Sequence, residues 1–223
     1  MSRTGTNCAG AAVDETRCPT VHSSRYYQLL KAAVLVMQRT GFHRMSMQAV
    51  ADEANVSVGL IYKYFDGKEA ILLAAVVSVL EVVRDQLHDA LKSVSEDPVE
   101  RFAAVFKRYC EIVDSNLDAV ALIYRESRTL DRAGSARINS LEIETSAPLR
   151  SAIQAGIAAG AMNCVDIDLI VGDASMLAHG WALKHWQFGL LYTVDSYANA
   201  QSRLLLRSLL TAPAQRAYKH LME

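Results

Sequence analysis

The chain has 223 residues, 51% of them hydrophobic, with 23 Lys and Arg against 24 Asp and Glu. That length allows one larger domain or two small ones, and that apolar content supplies a sizeable core. No uninterrupted apolar run reaches about 18 residues, so no membrane-spanning helix is expected, and the N-terminus lacks the charged-then-apolar pattern of a secretory signal, so the cytoplasm is the expected compartment.

The charge is unevenly placed. Residues 1–68 hold eight Lys and Arg against five Asp and Glu, a net of +3, and the remainder is −4. A mildly basic N-terminal part on a mildly acidic body suits a protein that engages phosphate with one end. The four cysteines stand at 8, 18, 110 and 164 without a Cys-x-x-Cys pair or a His at metal-ligand spacing. Neither a structural metal nor a cofactor is expected. Cys110 and Cys164 read as small apolar residues of a reduced compartment, with a redox-sensor role as the alternative.

Residues 1–22, rich in Thr, Ala, Gly, Asn and Cys, lack periodicity and are expected to form a disordered extension. Arg3, Arg17 and Arg25 offer phosphate contacts, although an idle tail is the simpler reading. Ser24 to Thr40 is the first expected helix, with Leu29, Leu30, Ala33, Val34 and Met37 on its core face and Gly41 ending it. Ser46 then caps a short helix whose stripe is Val50, Ala51 and Ala54. Asn55 tolerates the left-handed backbone of a tight turn. Ser57 caps a second helix from Val58 to about Tyr64. Two short helices joined in this way form a helix-turn-helix, whose second helix fits the DNA major groove.

The residue types suit that task. Gly59 permits close approach to a backbone. Ser46, Ser57, Tyr62, Lys63 and Lys68 are expected to anchor phosphates, while Val58, Gly59 and Leu60 meet base edges or sugars. Arg44, Met47 and Tyr64 complete the expected DNA surface. A cation at position 68, where the helix dipole does not favour it, makes more sense facing a phosphate.

Thr40-Gly-Phe42 and the run from Met45 to Leu72 resemble the DNA-binding domain of the TetR family of transcriptional regulators. The resemblance covers roughly residues 24–72 and departs from the commonest pattern at Leu60 and at Asp66-Gly67. Leu60 has two readings, an apolar contact with a thymine methyl or inward packing. The family implies an all-α homodimer that binds double-stranded DNA at a palindromic operator and releases it when a small-molecule effector binds. The expected division is an extension over 1–22, a three-helix helix-turn-helix domain over 23–68 and a helical effector-binding and dimerisation domain over 69–223.

Beyond the reading head, Lys68 to about Val94 reads as one helix of roughly 40 Å, able to link head and body mechanically. Pro98 opens the next, which runs to about Asp114 with Phe102, Phe106, Tyr109 and Cys110 on one face. A shorter helix is expected over 118–129 and a longer one over 131–161, kinked or split at Pro148. Asp166 caps a helix reaching about Leu190, Thr193 caps one ending near Leu210, and 214–223 extends as a frayed helix. The count is nine helices. Ala174, Leu177, Ala178, Trp181, Leu205 and Leu209 are expected to build a four-helix dimer interface, or else to complete the monomer core.

Phe106, Tyr109, Cys110, Tyr124, Arg125, Arg128, His179 and Trp181 mix aromatic, polar and apolar character as ligand pockets do. Arg125 and Arg128 lie three apart on one face and are suited to a carboxylate or phosphate; the competing reading is a salt bridge with Glu126, Asp131 or a neighbouring helix. The run Leu122–Leu130, with Trp181–Trp186 and Tyr192–Tyr197, is similar to a TetR subgroup tied to lipid or acyl-CoA catabolism. That likeness implies an acyl-CoA or another elongated lipophilic effector. Gly156-x-x-x-Gly160 sits among alanines at a helix end and makes no phosphate cradle, and no nucleophile–base set has recognisable context, so no catalytic residue is expected. Control by a protein partner or by cysteine oxidation is the alternative to a small molecule.

Overall fold

A computed structural model describes residues 24–90, 95–163 and 166–223. The expected extension over 1–22 lies outside the described residues, as do Cys8, Cys18 and Cys164. Among the described residues there are eleven α-helices, two 3-10 turns and no strand, with one isolated bridge between Met162 and Leu210.

Three helices form the head: α1 (Ser24–Thr40), α2 (Met47–Ala54) and α3 (Val58–Tyr64). Then come α4 (Lys68–Ala90), α5 (Pro98–Asp114), α6 (Leu117–Glu126) and α7 (Arg132–Ala158). The chain closes with α8 (Ile167–Leu183), the four-residue α9 (His185–Phe188), α10 (Val194–Leu209) and α11 (Ala212–Ala217). Their starts follow from the capping chemistry of the sequence. Ser46, Ser57, Asp97, Asp131, Asp166 and Thr193 each accept from a first-turn amide that the helix itself cannot satisfy.

Three expected boundaries differ. The helix capped by Asp166 ends at Leu183 rather than Leu190, because Lys184 leaves helical geometry (φ −120°) and α9 restarts beyond it. The helix expected over 118–129 closes at Glu126 and tightens into a 3-10 turn over Ser127–Thr129. The helix holding Pro148 is not split: α7 runs unbroken through it, and in the preceding turn Thr145 and Ser146 hydroxyls donate to the carbonyls of Leu141 and Ile143.

The apolar residues sort into two cores. The lower core joins α1–α3 to the first half of α4, and takes in Leu122 and Ile123 of α6 and Ile138 and Leu141 of α7. The upper core joins Val83 and Leu87 of α4 to α5, α8, α10, Val120 of α6 and Leu149, Ala152 and Ile153 of α7. Helices α4, α6 and α7 therefore contribute side chains to both cores. Interiors are close-packed, so a displacement of any of the three in the upper core is felt in the lower one.

Candidate nucleic-acid interface and effector cleft

The head is built by local rules. Ser46 Oγ accepts from Ala49 N–H at 3.1 Å and Ser57 Oγ from Leu60 N–H at 3.3 Å. Asn55 closes α2 in the left-handed region (φ 53°, ψ 52°) and its amide returns to Ala51 and Asp52 carbonyls. Only Ile61 of α3 is buried, which anchors that helix by one side chain and leaves Tyr62, Lys63 and Gly59 exposed and Val58 and Leu60 half-buried. A Cβ built on Gly59 meets nothing within 4 Å, so no neighbour inside the chain requires glycine there. Gly59 leaves room for something outside the chain to approach.

Four expected DNA contacts have partners of their own. Met47 is a core residue, 9% exposed beneath α2, and is withdrawn from the DNA surface. Arg44 Nε donates to the Thr40 carbonyl at 2.9 Å, tying it to the end of α1. Lys68 Nζ lies 3.4 Å from the His43 carbonyl and 4.9 Å over the Phe42 ring, so a cation at this helix start is already accounted for within the chain. Tyr64 is 38% exposed, its ring 6.4 Å from that of Tyr26.

Where head meets body, α6 supplies a latch. Glu126 is 4% exposed; its carboxylate pairs with Arg125 Nε at 2.7 Å and faces Phe42 N–H at 3.4 Å. Arg125 Nη2 donates to the Met37 carbonyl at 3.2 Å. Arg125 thus turns toward α1 and makes the salt-bridge alternative true. Arg128 is exposed on the 3-10 turn and does not line the cleft between α7 and α8.

One residue before Arg125 on α6, Tyr124 reaches the opposite way. Its hydroxyl is 2.7 Å from His179 Nδ1, and Tyr109 of α5 stands 2.7 Å from His179 Nε2. Burial holds the imidazole down to about 4, so His179 is neutral and has one donor and one acceptor nitrogen. Burial, and then the field of Glu142, push the Tyr124 phenol up to about 12, and Tyr109 shifts upward for the same reasons. These three side chains floor a cleft of about 350 Å³ between α7 and α8. Asn139, Glu142, Ser146 and Arg150 line it from α7, and Asp168, Val171 and Met176 from α8. Behind Tyr124 and His179 runs an apolar seam of Val79, Leu80, Val83, Val113, Val120 and Ile123 with only about 10 Å³ free, room for about one water.

Of the expected ligand residues, the structure brings Tyr109, Tyr124 and His179 together. Phe106 and Cys110 are core residues at 0% exposure, and burial pushes the Cys110 thiol up to about 12, which suppresses the reactive thiolate. Trp181 is also core, donating to Asp114 Oδ1 at 2.7 Å and packed 5.0 Å from the ring of Tyr197. The α7 wall was missed. Its signal was available as a polar stripe, Asn139, Glu142, Ser146 and Arg150, at spacings of three and four along a helix whose other face is apolar. Among the described residues no three His, Cys, Asp or Glu gather as metal ligands.

The residues expected at a dimer interface also belong to the monomer. Ala174, Ala178, Trp181, Leu205 and Leu209 are all buried in the upper core. The apolar side chains left uncovered on α8, α9, α10 and the link between the last two are others: Leu169, Met176, Trp186, Leu190, Leu191 and Leu204, each more than half exposed.

A capped helix-turn-helix latched to a helical body with a cleft has the architecture of a DNA-reading regulator. Residues 29–75 match the bacterial regulatory proteins of the tetR family, and residues 95–179 match the tetracyclin repressor-like C-terminal domain. The HTH-type transcriptional regulator HbdR of Aromatoleum sp. (strain CIB) is 31% identical over 199 residues, covering 89% of this chain and 86% of the relative. The chain belongs to the TetR family of bacterial transcriptional regulators. Among solved structures, a tetR-family regulatory protein from Rhodococcus RHA1 superposes with a TM-score of 0.76 at 19% identity, over 85% of this chain and 99% of that one. The regulator FadR of Bacillus subtilis, solved with stearoyl-CoA, superposes with a TM-score of 0.69 at 21% identity, over 82% and 98%. No helix among the described residues is long and apolar enough to cross a membrane.

Proposed function

We propose that the chain is a cytoplasmic, ligand-responsive repressor that binds a palindromic operator as a homodimer. In this reading the head over 23–68 holds the DNA and the body over 69–223 holds a small lipophilic effector, with an acyl-CoA as the first candidate. One observation carries it: α6 lines the cleft with Tyr124 and grips the head with the next two residues, Arg125 and Glu126. An apolar ligand end has almost no free volume in the seam behind Tyr124, so entry there parts α4 from α6. Both helices reach the lower core, so the reading heads shift, and the effector favours the state that fits DNA less well.

Tyr62, Lys63, Gly59 and the free hydroxyl hydrogens of Ser46 and Ser57 form the proposed DNA face, with Val58 and Leu60 at its edge and Arg44, Tyr64 and Lys68 at its flanks. The uncovered apolar face of α8–α10 is the proposed dimer seam, since two reading heads are needed to span a palindrome. The acyl-CoA candidate draws support from the stearoyl-CoA bound to the FadR neighbour. A gel shift on DNA from upstream of the chain's own gene, with and without long-chain acyl-CoA, tests the reading. Binding that acyl-CoA abolishes is expected; no binding to any such DNA contradicts the repressor, and binding that acyl-CoA leaves intact removes that effector.

A further inference from the structure

The cleft has a definite donor and acceptor inventory. One proton arrangement in the floor uses every hydrogen: Tyr109 O–H donates to His179 Nε2, His179 Nδ1–H donates to the Tyr124 oxygen, and Tyr124 O–H donates to Met176 Sδ at 3.3 Å. Ser146 and Ser175 spend their hydroxyl hydrogens on carbonyls of their own helices, Ile143 at 3.1 Å and Val171 at 2.9 Å. Arg150 is the cation of the cleft among the described residues, and its Nη2 is held by Asp168 Oδ1 at 2.6 Å. Beyond the exposed Asn139 amide and the guanidinium hydrogens that Asp168 does not take, what remains unpaired is an acceptor. Glu142 lines both the cleft and the seam, is partly buried, and makes no hydrogen bond or ion pair with another described residue. Burial raises its carboxyl above the usual range, the mark of a charge that water no longer fully solvates.

We propose that the inner end of the cleft takes an effector that presents a hydrogen-bond donor, a hydroxyl or an ammonium group, to the Glu142 carboxylate, and that it refuses a free carboxylate there. A donor satisfies the Glu142 carboxylate, which no described residue pairs with, and Ile143, Val171 and Met176 supply apolar wall for the rest of the molecule. A carboxylate beside Glu142 meets a like charge and finds the hydrogens of Tyr109, His179 and Tyr124 already committed. This rests on the effector reading above and sharpens it: an acyl-CoA that uses this cleft carries its donor on the buried acyl end and keeps its phosphates outside.

The test is calorimetric titration of the full-length protein with three probes of equal chain length, 1-octanol, octylammonium and octanoate. The alcohol or the ammonium is expected to bind at least tenfold more tightly than octanoate. Glu142→Gln is expected to erase that preference by at least tenfold, and Glu142→Asp to keep its sign. Glu142 is partly exposed and its charge is disfavoured by burial, so both variants are expected to melt no lower than the parent, which a thermal scan checks. Equal or tighter octanoate binding, an unchanged preference in Glu142→Gln, or no binding by any probe overturns the proposal. Gel shifts on the same samples separate it from the effector reading. Probes that bind in the expected order but leave the DNA complex intact keep the site and remove its regulatory role.

Discussion

The head and the body are built from the same material, amphipathic helices, yet they fix their functional surfaces differently. In the head each functional position is placed by its neighbours in sequence. Ser57 caps α3, Ile61 seats it, and Gly59, Tyr62 and Lys63 are then outward by periodicity alone. In the body the cleft is assembled from four helices across 70 residues of chain, Tyr109 on α5 to His179 on α8. A surface set by local spacing survives most changes elsewhere, whereas a floor made by convergence depends on the whole upper core.

The widest expected contrast is in stability. Trp181→Ala removes a fully buried ring and the hydrogen bond to Asp114, and should cost about 3–5 kcal/mol in chemical denaturation. The apolar seam should loosen with it, while the head's caps remain; an effect under about 1 kcal/mol would show that the upper core does not depend on this side chain.

Acid should strike the body next. The His179 pKa falls from 6.5 to about 4 on folding, so between those values the unfolded chain binds more protons and stability drops as pH is lowered. The loss over that window is on the order of 3 kcal/mol. Glu142, raised by burial, has the opposite sign, since acid relieves the cost of its charge. Denaturant midpoints measured from pH 7 to 4 should therefore fall more steeply in Glu142→Gln than in the parent, and a flat parent profile would contradict a buried neutral His179.

At the junction, Arg125→Ala should cost about 1–2 kcal/mol, discounted because Arg125 is half exposed while the Glu126 it leaves behind is buried. The same variant should weaken the link between effector binding and DNA release, measured as the effector concentration that halves a gel-shifted band. A variant with unchanged stability and unchanged release would disconnect α6 from the switch. The smallest stability effect belongs to Gly59→Ala. The open space above it predicts a melting temperature no lower than the parent's, with operator affinity reduced about tenfold or more if α3 lies close to a DNA backbone.

The fold was largely legible because its cues are local: six caps, the left-handed Asn55 and the apolar stripes fix most helix starts. The split expected at Pro148 does not occur, since neighbouring hydroxyls and burial let α7 continue through a residue that ends isolated helices. The site was legible only in part. The flexible thioether of Met47 and the indole of Trp181 both suit a binding surface, but tertiary packing decides which face of a helix a residue occupies, and both face the core. For Arg125 the sequence left two readings open; the salt bridge to the adjacent Glu126 was one of them, but the Met37 carbonyl lies across a junction that spacing along α6 does not reveal.

The proposed DNA-reading face is that of α3, and a salt-resolved operator titration of the parent beside Lys63→Ala and Tyr62→Ala tests it. Both side chains are exposed and outside either core, so the variants should fold and melt like the parent. The account predicts weaker binding by both. The Lys63→Ala salt slope should be shallower by about 1 per head, because one cation fewer neutralises a phosphate. Affinities and salt slopes equal to the parent's would contradict it and send the DNA surface to another face of the molecule.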